Sequence, residues 1–90
     1  MALVVELTRF KALPCKSEKF VRLEFRGVKK YTHMLVQCEE MIEVKQTFKW
    51  AVSRPIEAGE VMTLCLFARR RWTTPRLLGV YRLGLQIIVA

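Results

Sequence analysis

Ninety residues, about half of them apolar, set out one globular domain with a modest core and exclude a disordered chain. The net charge of +8 is uneven: residues 1–60 carry eleven bases against eight acids, all of them glutamate, while residues 61–90 carry five arginines and no acid. The asymmetry points to a polyanionic partner, either nucleic acid or an anionic membrane face. The chain contains no aspartate, and no apolar run approaches the roughly 20 residues needed to span a bilayer.

Met1 is followed directly by Leu3-Val4-Val5-Glu6-Leu7-Thr8-Arg9-Phe10. This alternation lacks the unbroken apolar stretch of a signal peptide, so a cytosolic chain start is expected. Leu3, Val5 and Leu7 share one face of a first strand. Val21, Leu23 and Phe25 alternate with Arg22, Glu24 and Arg26 in a second, and Gly27 supplies a turn. Lys30 to Val36 reads as a third strand with Tyr31, His33 and Leu35 on one side. Cys38-Glu39-Glu40-Met41-Ile42-Glu43-Val44, inside a loop expected over 38–46, is a candidate helical turn. Phe48, Trp50 and Val52 mark a fourth strand, Met62, Leu64 and Leu66 a fifth, and about Leu78 to Leu85 a sixth. Further loops are expected at Pro14 to Lys19, Ser53 to Gly59 and Arg69 to Pro75. A dominant period of two with many half-polar strands predicts an all-β, antiparallel sandwich in a single domain, 1–90. Such sandwiches usually need about 100 residues, and Leu85-Gln86-Ile87-Ile88-Val89-Ala90 ends in mid-apolar run, so the last strands are expected to be missing. Cys15, Cys38 and Cys65 are odd in number and far apart, which suggests a reducing compartment and buried thiols rather than a disulfide or zinc framework.

Arg69-Arg70-Arg71-Trp72-Thr73-Thr74-Pro75-Arg76 places four arginines in eight positions. Their planar donor forks suit phosphate oxygens, and the indole of Trp72 suits a bilayer interface. Arg22, Arg26, Lys29, Lys30 and Lys49 form a second basic group, of which Arg22, Lys30 and Lys49 are candidates for a secondary basic face interrupted by Glu24. His33 is the sole histidine and belongs to no catalytic motif. With no Gly-rich phosphate loop, paired-carboxylate motif or metal-ligand spacing, no enzyme activity, cofactor or metal is expected.

Lys16-Ser17-Glu18-Lys19-Phe20-Val21-Arg22-Leu23 resembles the C2-domain signature Gly-x-Ser-Asp-Pro-Tyr-Val-Lys-Val. Gln46-Thr47-Phe48-Lys49-Trp50 looks like the Asn-Glu-x-Phe-x-Phe segment of that family. Leu64-Cys65-Leu66-Phe67-Ala68-Arg69-Arg70, followed by Leu78-Gly79, resembles its Val-x-Val-x-Asp-x-Asp strand and loop with the Ile-Gly pair. Met1-Ala2-Leu3, Phe25-Arg26-Gly27, Cys38-Glu39, Thr47-Phe48-Lys49-Trp50 and Leu78-Gly79-Val80-Tyr81-Arg82 resemble more closely the first C2 domain of the ferlins, in the otoferlin-like branch.

The resemblance covers essentially the whole chain. It implies a Greek-key C2 sandwich of type II topology and a role in vesicle trafficking and membrane fusion, on the cytoplasmic face of membranes in a tail-anchored protein. It also carries the family's calcium-ligand positions to Ala12, Glu18, Ala68, Arg70 and Arg76. Calcium takes about six to eight oxygen ligands, and only Glu18 is acidic here, so no calcium site is expected.

Three readings follow. In the first, a calcium-independent module contacts anionic phospholipid through Arg69, Arg70, Arg71, Trp72 and Arg76. In the second, a protein-interaction module uses the same basic loop to dock an acidic partner or another C2 domain. In the third, a small β-domain binds nucleic acid. The last needs aromatics on a basic sheet face, whereas Phe48 and Trp50 fall on the apolar face with Val52, so no nucleic acid is expected.

Overall fold

The computed structural model describes residues 2–12, 16–36 and 39–84. These form β1 (Ala2–Lys11), β2 (Lys19–Phe25), β3 (Val28–Tyr31), β4 (Met41–Ala51), β5 (Val61–Ala68) and β6 (Arg76–Gly84). All pairings are antiparallel: β1 with β4 in one sheet, and β3-β2-β5-β6 in the other.

The two sheets face each other because both present apolar phases. Val21, Leu23 and Phe25 of β2 and Met62, Leu64 and Leu66 of β5 supply one wall of the core. Ile42, Val44, Phe48 and Trp50 of β4 supply the other, with Leu3, Val5, Leu7 and Phe10 of β1 packed beside them. Cross-strand partners Leu3–Trp50, Val5–Phe48 and Phe10–Ile42 fix the register of β1 on β4, with one slip between Leu7 and Arg9. Opposite that slip Lys45 takes a positive φ of 52°, and the inward phase of β1 moves from Leu7 to Phe10. The narrower sheet leaves the inward side chains of β6, Tyr81 and Leu83, exposed. With Leu7, Phe10, Val21, Leu64 and Leu66 they line an apolar cleft of about 290 Å³.

Two expectations change. The segment 41–46 is strand, not loop or helical turn, because Ile42 and Val44 alternate with Glu43 and Lys45 and bury their side chains against the facing sheet. The third strand lies at Val28–Tyr31 rather than Lys30 to Val36. Arg26 and Gly27, with φ of 49° and 78°, form a two-residue turn of the kind that joins tight hairpins, so pairing starts at once. It ends where Thr32 leaves the ladder: its N–H donates to the Val21 carbonyl while its hydroxyl oxygen accepts the Val21 N–H. Leu35 then returns to pair with Lys19, 2.6 and 2.8 Å between backbone atoms. Tyr31 and His33 are exposed and Leu35 is buried, so the three do not share a face. Cys65 is buried, as expected; Cys15, Cys38 and the final run 85–90 lie outside the described residues.

The strained turn is held from outside. The Arg26 guanidinium donates to both oxygens of Glu60 at 2.7 and 2.8 Å and to the carbonyls of Arg54 and Pro55. Chiefly through that fork, and then the Glu57 N–H, the Glu60 carboxyl is held down at about 2 from an ordinary 4.5. The same bonds raise Arg26 above its ordinary value.

A carboxylate depressed in the fold stabilises it above the unfolded value and loses that contribution as pH falls through the folded one. The stability advantage of the native chain over Glu60→Gln is therefore expected to be full above pH 4.5 and to shrink toward pH 2 in urea unfolding. A pH-independent difference would contradict the pairing. Leu23→Ala and Ile42→Ala, both at fully buried sites, are each expected to cost about 2–5 kcal/mol. Val4→Ala, on the solvent side, is expected to stay within about 0.5 kcal/mol.

Candidate functional site

The loop between β5 and β6 and the segment preceding β2 meet at one end of the sandwich. The β2–β5 ladder runs to the pair Lys19–Ala68, and one further backbone bond, from the Arg69 N–H to the Glu18 carbonyl at 2.8 Å, ties the segments together. Arg69 Nη1 also meets Glu18 Oε2 at 3.1 Å. Ser17, Glu18, Arg69 and Arg71 line a polar hollow of about 310 Å³.

Of the degenerate cage positions, Glu18 and Arg70 are exposed beside this junction. Ala68 is buried and pairs with Arg76, the first residue of β6. Ala12 is half-buried against the core, its N–H donating to the Glu40 carbonyl. Among the described residues, no group of three or more metal-ligating side chains is placed to hold an ion. Nor does any carboxylate there pair with Arg70, Arg71 or Arg76. Trp72 is 90% exposed, with the Arg71 guanidinium 6.0 Å from its ring centre. The structure thus brings Arg69, Arg70, Arg71, Trp72 and Arg76 to one end of the molecule, with Glu18 as the paired acid.

The secondary basic face does not come together. Arg22 lies on the outer surface of the four-stranded sheet, its guanidinium 5.1 Å from the Phe67 ring centre and its Nη2 3.6 Å from Cys65 Sγ. Lys30 pairs with Leu23, hence takes the inward phase, and its amine lies 5.6 Å from the Trp50 ring centre. Lys49 is exposed on the outer face of the other sheet, opposite Val4. Sheet pairing separates these side chains by phase and by layer. His33 is exposed, with its backbone N–H donating to Gln46 Oε1.

Two features escaped the sequence reading. Lys19 is fully buried, and its ammonium donates to the Ser17 carbonyl at 2.9 Å. Its stem lies in the core phase of β2 and its buried head reaches the backbone of the loop segment, so it braces that segment from beneath. The available signal was a lysine in phase with Val21, Leu23 and Phe25. The second is an outward aromatic cluster: Phe20 stacks on Phe67 at 5.2 Å and 19°, with Tyr31 at 6.2 Å from Phe20. These rings come from three strands and are adjacent only through pairing.

No family model matches the chain. The crystal structure of the RIM C2A domain from Drosophila superposes with a TM-score of 0.75 at 16% sequence identity, over 92% of this chain and 74% of that one. The chain therefore has the fold of a C2 domain, an antiparallel β-sandwich. At that identity the likeness is of fold and does not reach to the ferlin branch.

Lys19→Ala, which empties part of the core beneath Ser17, is expected to cost about 2–3 kcal/mol in urea unfolding, and Lys19→Met, which keeps the volume, less than about 1.5 kcal/mol. Equal losses for the two would contradict a packing role for the stem.

Proposed function

We propose that this chain is a calcium-independent C2 module that docks on anionic phospholipid through Arg69, Arg70, Arg71, Trp72 and Arg76. The observation that carries the reading is the open loop itself: three consecutive exposed arginines and an indole 90% exposed, with Glu18 alone among the described carboxylates paired into the group. Each basic side chain near an anionic leaflet contributes about 1 kcal/mol, and the indole adds interfacial contact. Calcium has no part in this scheme, because Ala12, Ala68, Arg70 and Arg76 provide no side-chain oxygen where the C2 resemblance puts ligands. The setting proposed with it, vesicle trafficking on a cytoplasmic membrane face in a ferlin-like protein, is supported by the sequence resemblance alone.

A second reading, docking of an acidic protein partner, is favoured by one observation. The outer face of the four-stranded sheet displays Phe20, Tyr31, Phe67, Leu77 and Val80 around Arg22, a composition suited to protein contacts. Base stacking on this face is disfavoured because Phe20 and Phe67 cover each other's ring faces.

Sedimentation with phosphatidylserine vesicles separates these readings. Binding is expected to be equal with calcium and with chelator, to fall at least tenfold in the Arg70→Glu, Arg71→Glu double variant, to fall severalfold in Trp72→Ala and to weaken with salt. Calcium-stimulated binding, or indifference to the charge reversals, would refute the membrane reading. Absence of vesicle binding with capture of an acidic partner lost in Arg22→Glu would favour the second.

A further inference from the structure

We propose that the hollow lined by Ser17, Glu18, Arg69 and Arg71 is a phosphomonoester site, and that Glu18 is its built-in competing anion. The inference rests on the anion-docking reading above and gives it a specific ligand group.

The hollow is shallow, about 310 Å³, and its lining residues come from two segments locked together by backbone bonding. Two guanidinium groups and a serine hydroxyl offer more donors than the Glu18 carboxylate can use, and that carboxylate engages Arg69 through a single 3.1 Å contact between two exposed side chains. Such an exposed pair is weak and displaceable. Beneath the segment the buried Lys19 ammonium fixes the Ser17 carbonyl and adds fixed positive charge to this end of the fold.

A terminal phosphate carries about −1.5 to −2 charges and three acceptor oxygens near neutral pH. It can take over the Arg69 fork, engage Arg71 and accept from the Ser17 hydroxyl, with Glu18 swinging out to solvent. A phosphodiester has a single negative charge and carries substituents on both sides, so it offers the two guanidinium groups less charge and fewer free oxygens. Glu18 thus sets a threshold: it keeps Arg69 oriented in the free protein and excludes singly charged anions that cannot outbid it.

The chain is titrated with soluble inositol monophosphate and with neutral inositol, followed by amide NMR shifts, for the native protein, Glu18→Gln and Ser17→Ala. In parallel it is sedimented with vesicles containing phosphatidylinositol monophosphate or phosphatidylserine at matched charge. Saturable monophosphate binding is expected, with no response to inositol. Glu18→Gln should bind roughly five- to tenfold tighter, because it removes repulsion at close range, and Ser17→Ala severalfold weaker. Monophosphate vesicles should bind better than phosphatidylserine vesicles. All three proteins should melt within a few degrees of one another, since the two positions are exposed. Binding of Glu18→Gln no tighter than native would overturn the proposal. So would vesicle binding without soluble-phosphate binding, and that result would leave the membrane reading standing. Soluble-phosphate binding without binding to either vesicle would support the pocket, assign its phosphate to a soluble source and refute the membrane reading.

Discussion

The backbone bond from the Arg69 N–H to the Glu18 carbonyl, 2.8 Å long, continues the β2–β5 ladder one step beyond the Lys19–Ala68 pair, and the character of the whole loop end follows from it. It holds the start of the arginine loop against Ser17 and Glu18. Without it the arginines would sit on a free tether, and their placement beside Ser17 and Glu18 would be lost to chain entropy. The bond in turn needs β2 and β5 in register, and that register is set by burial: a slip of one residue would turn the apolar set of one strand, Val21 and Leu23 or Leu64 and Leu66, outward. The sandwich core and the site geometry are therefore one constraint.

Arginine does opposite work at the two ends of this fold. Arg26 is consumed by structure: its donors go to Glu60, Arg54 and Pro55, and its charge is matched. That arrangement lets a non-glycine residue hold a positive φ beside Gly27 in a tight turn. Arg70, Arg71 and Arg76 have no carboxylate partner among the described residues and face solvent. Three arginines with no carboxylate partner among the described residues thus stand where two loops of a C2 fold meet.

Much of the fold was legible. Alternation marked β1, β2, β5 and the second half of β4, because each turns an apolar set of side chains to the core, and a final strand expected at about Leu78 to Leu85 is β6 at Arg76–Gly84. The first half of β4 was obscured by Glu39, Glu40, Glu43 and Lys45, whose density of charge suggested a helical turn while Ile42 and Val44 carried the strand signal. The start of β3 was hidden because the Arg26-Gly27 turn is shorter than composition suggests. Of the site, the arginine run was visible in the sequence itself. Its partners were not: Ser17 and Glu18 reach it only through β2–β5 pairing, Lys19 braces it from inside the core, and the proposed unity of Arg22, Lys30 and Lys49 dissolved once phase and layer were assigned.

The most direct test is residue-resolved: amide NMR shifts of the chain as nanodiscs of phosphatidylserine and phosphatidylinositol monophosphate are added in chelator. The expected result is a set of perturbations confined to residues 16–18 and 69–76, with the Arg26-Gly27 turn and the Gly59 turn at the other end unchanged. Perturbations centred on Phe20, Arg22 and Tyr31, or none without calcium, would contradict an anion-docking site built on the loop junction.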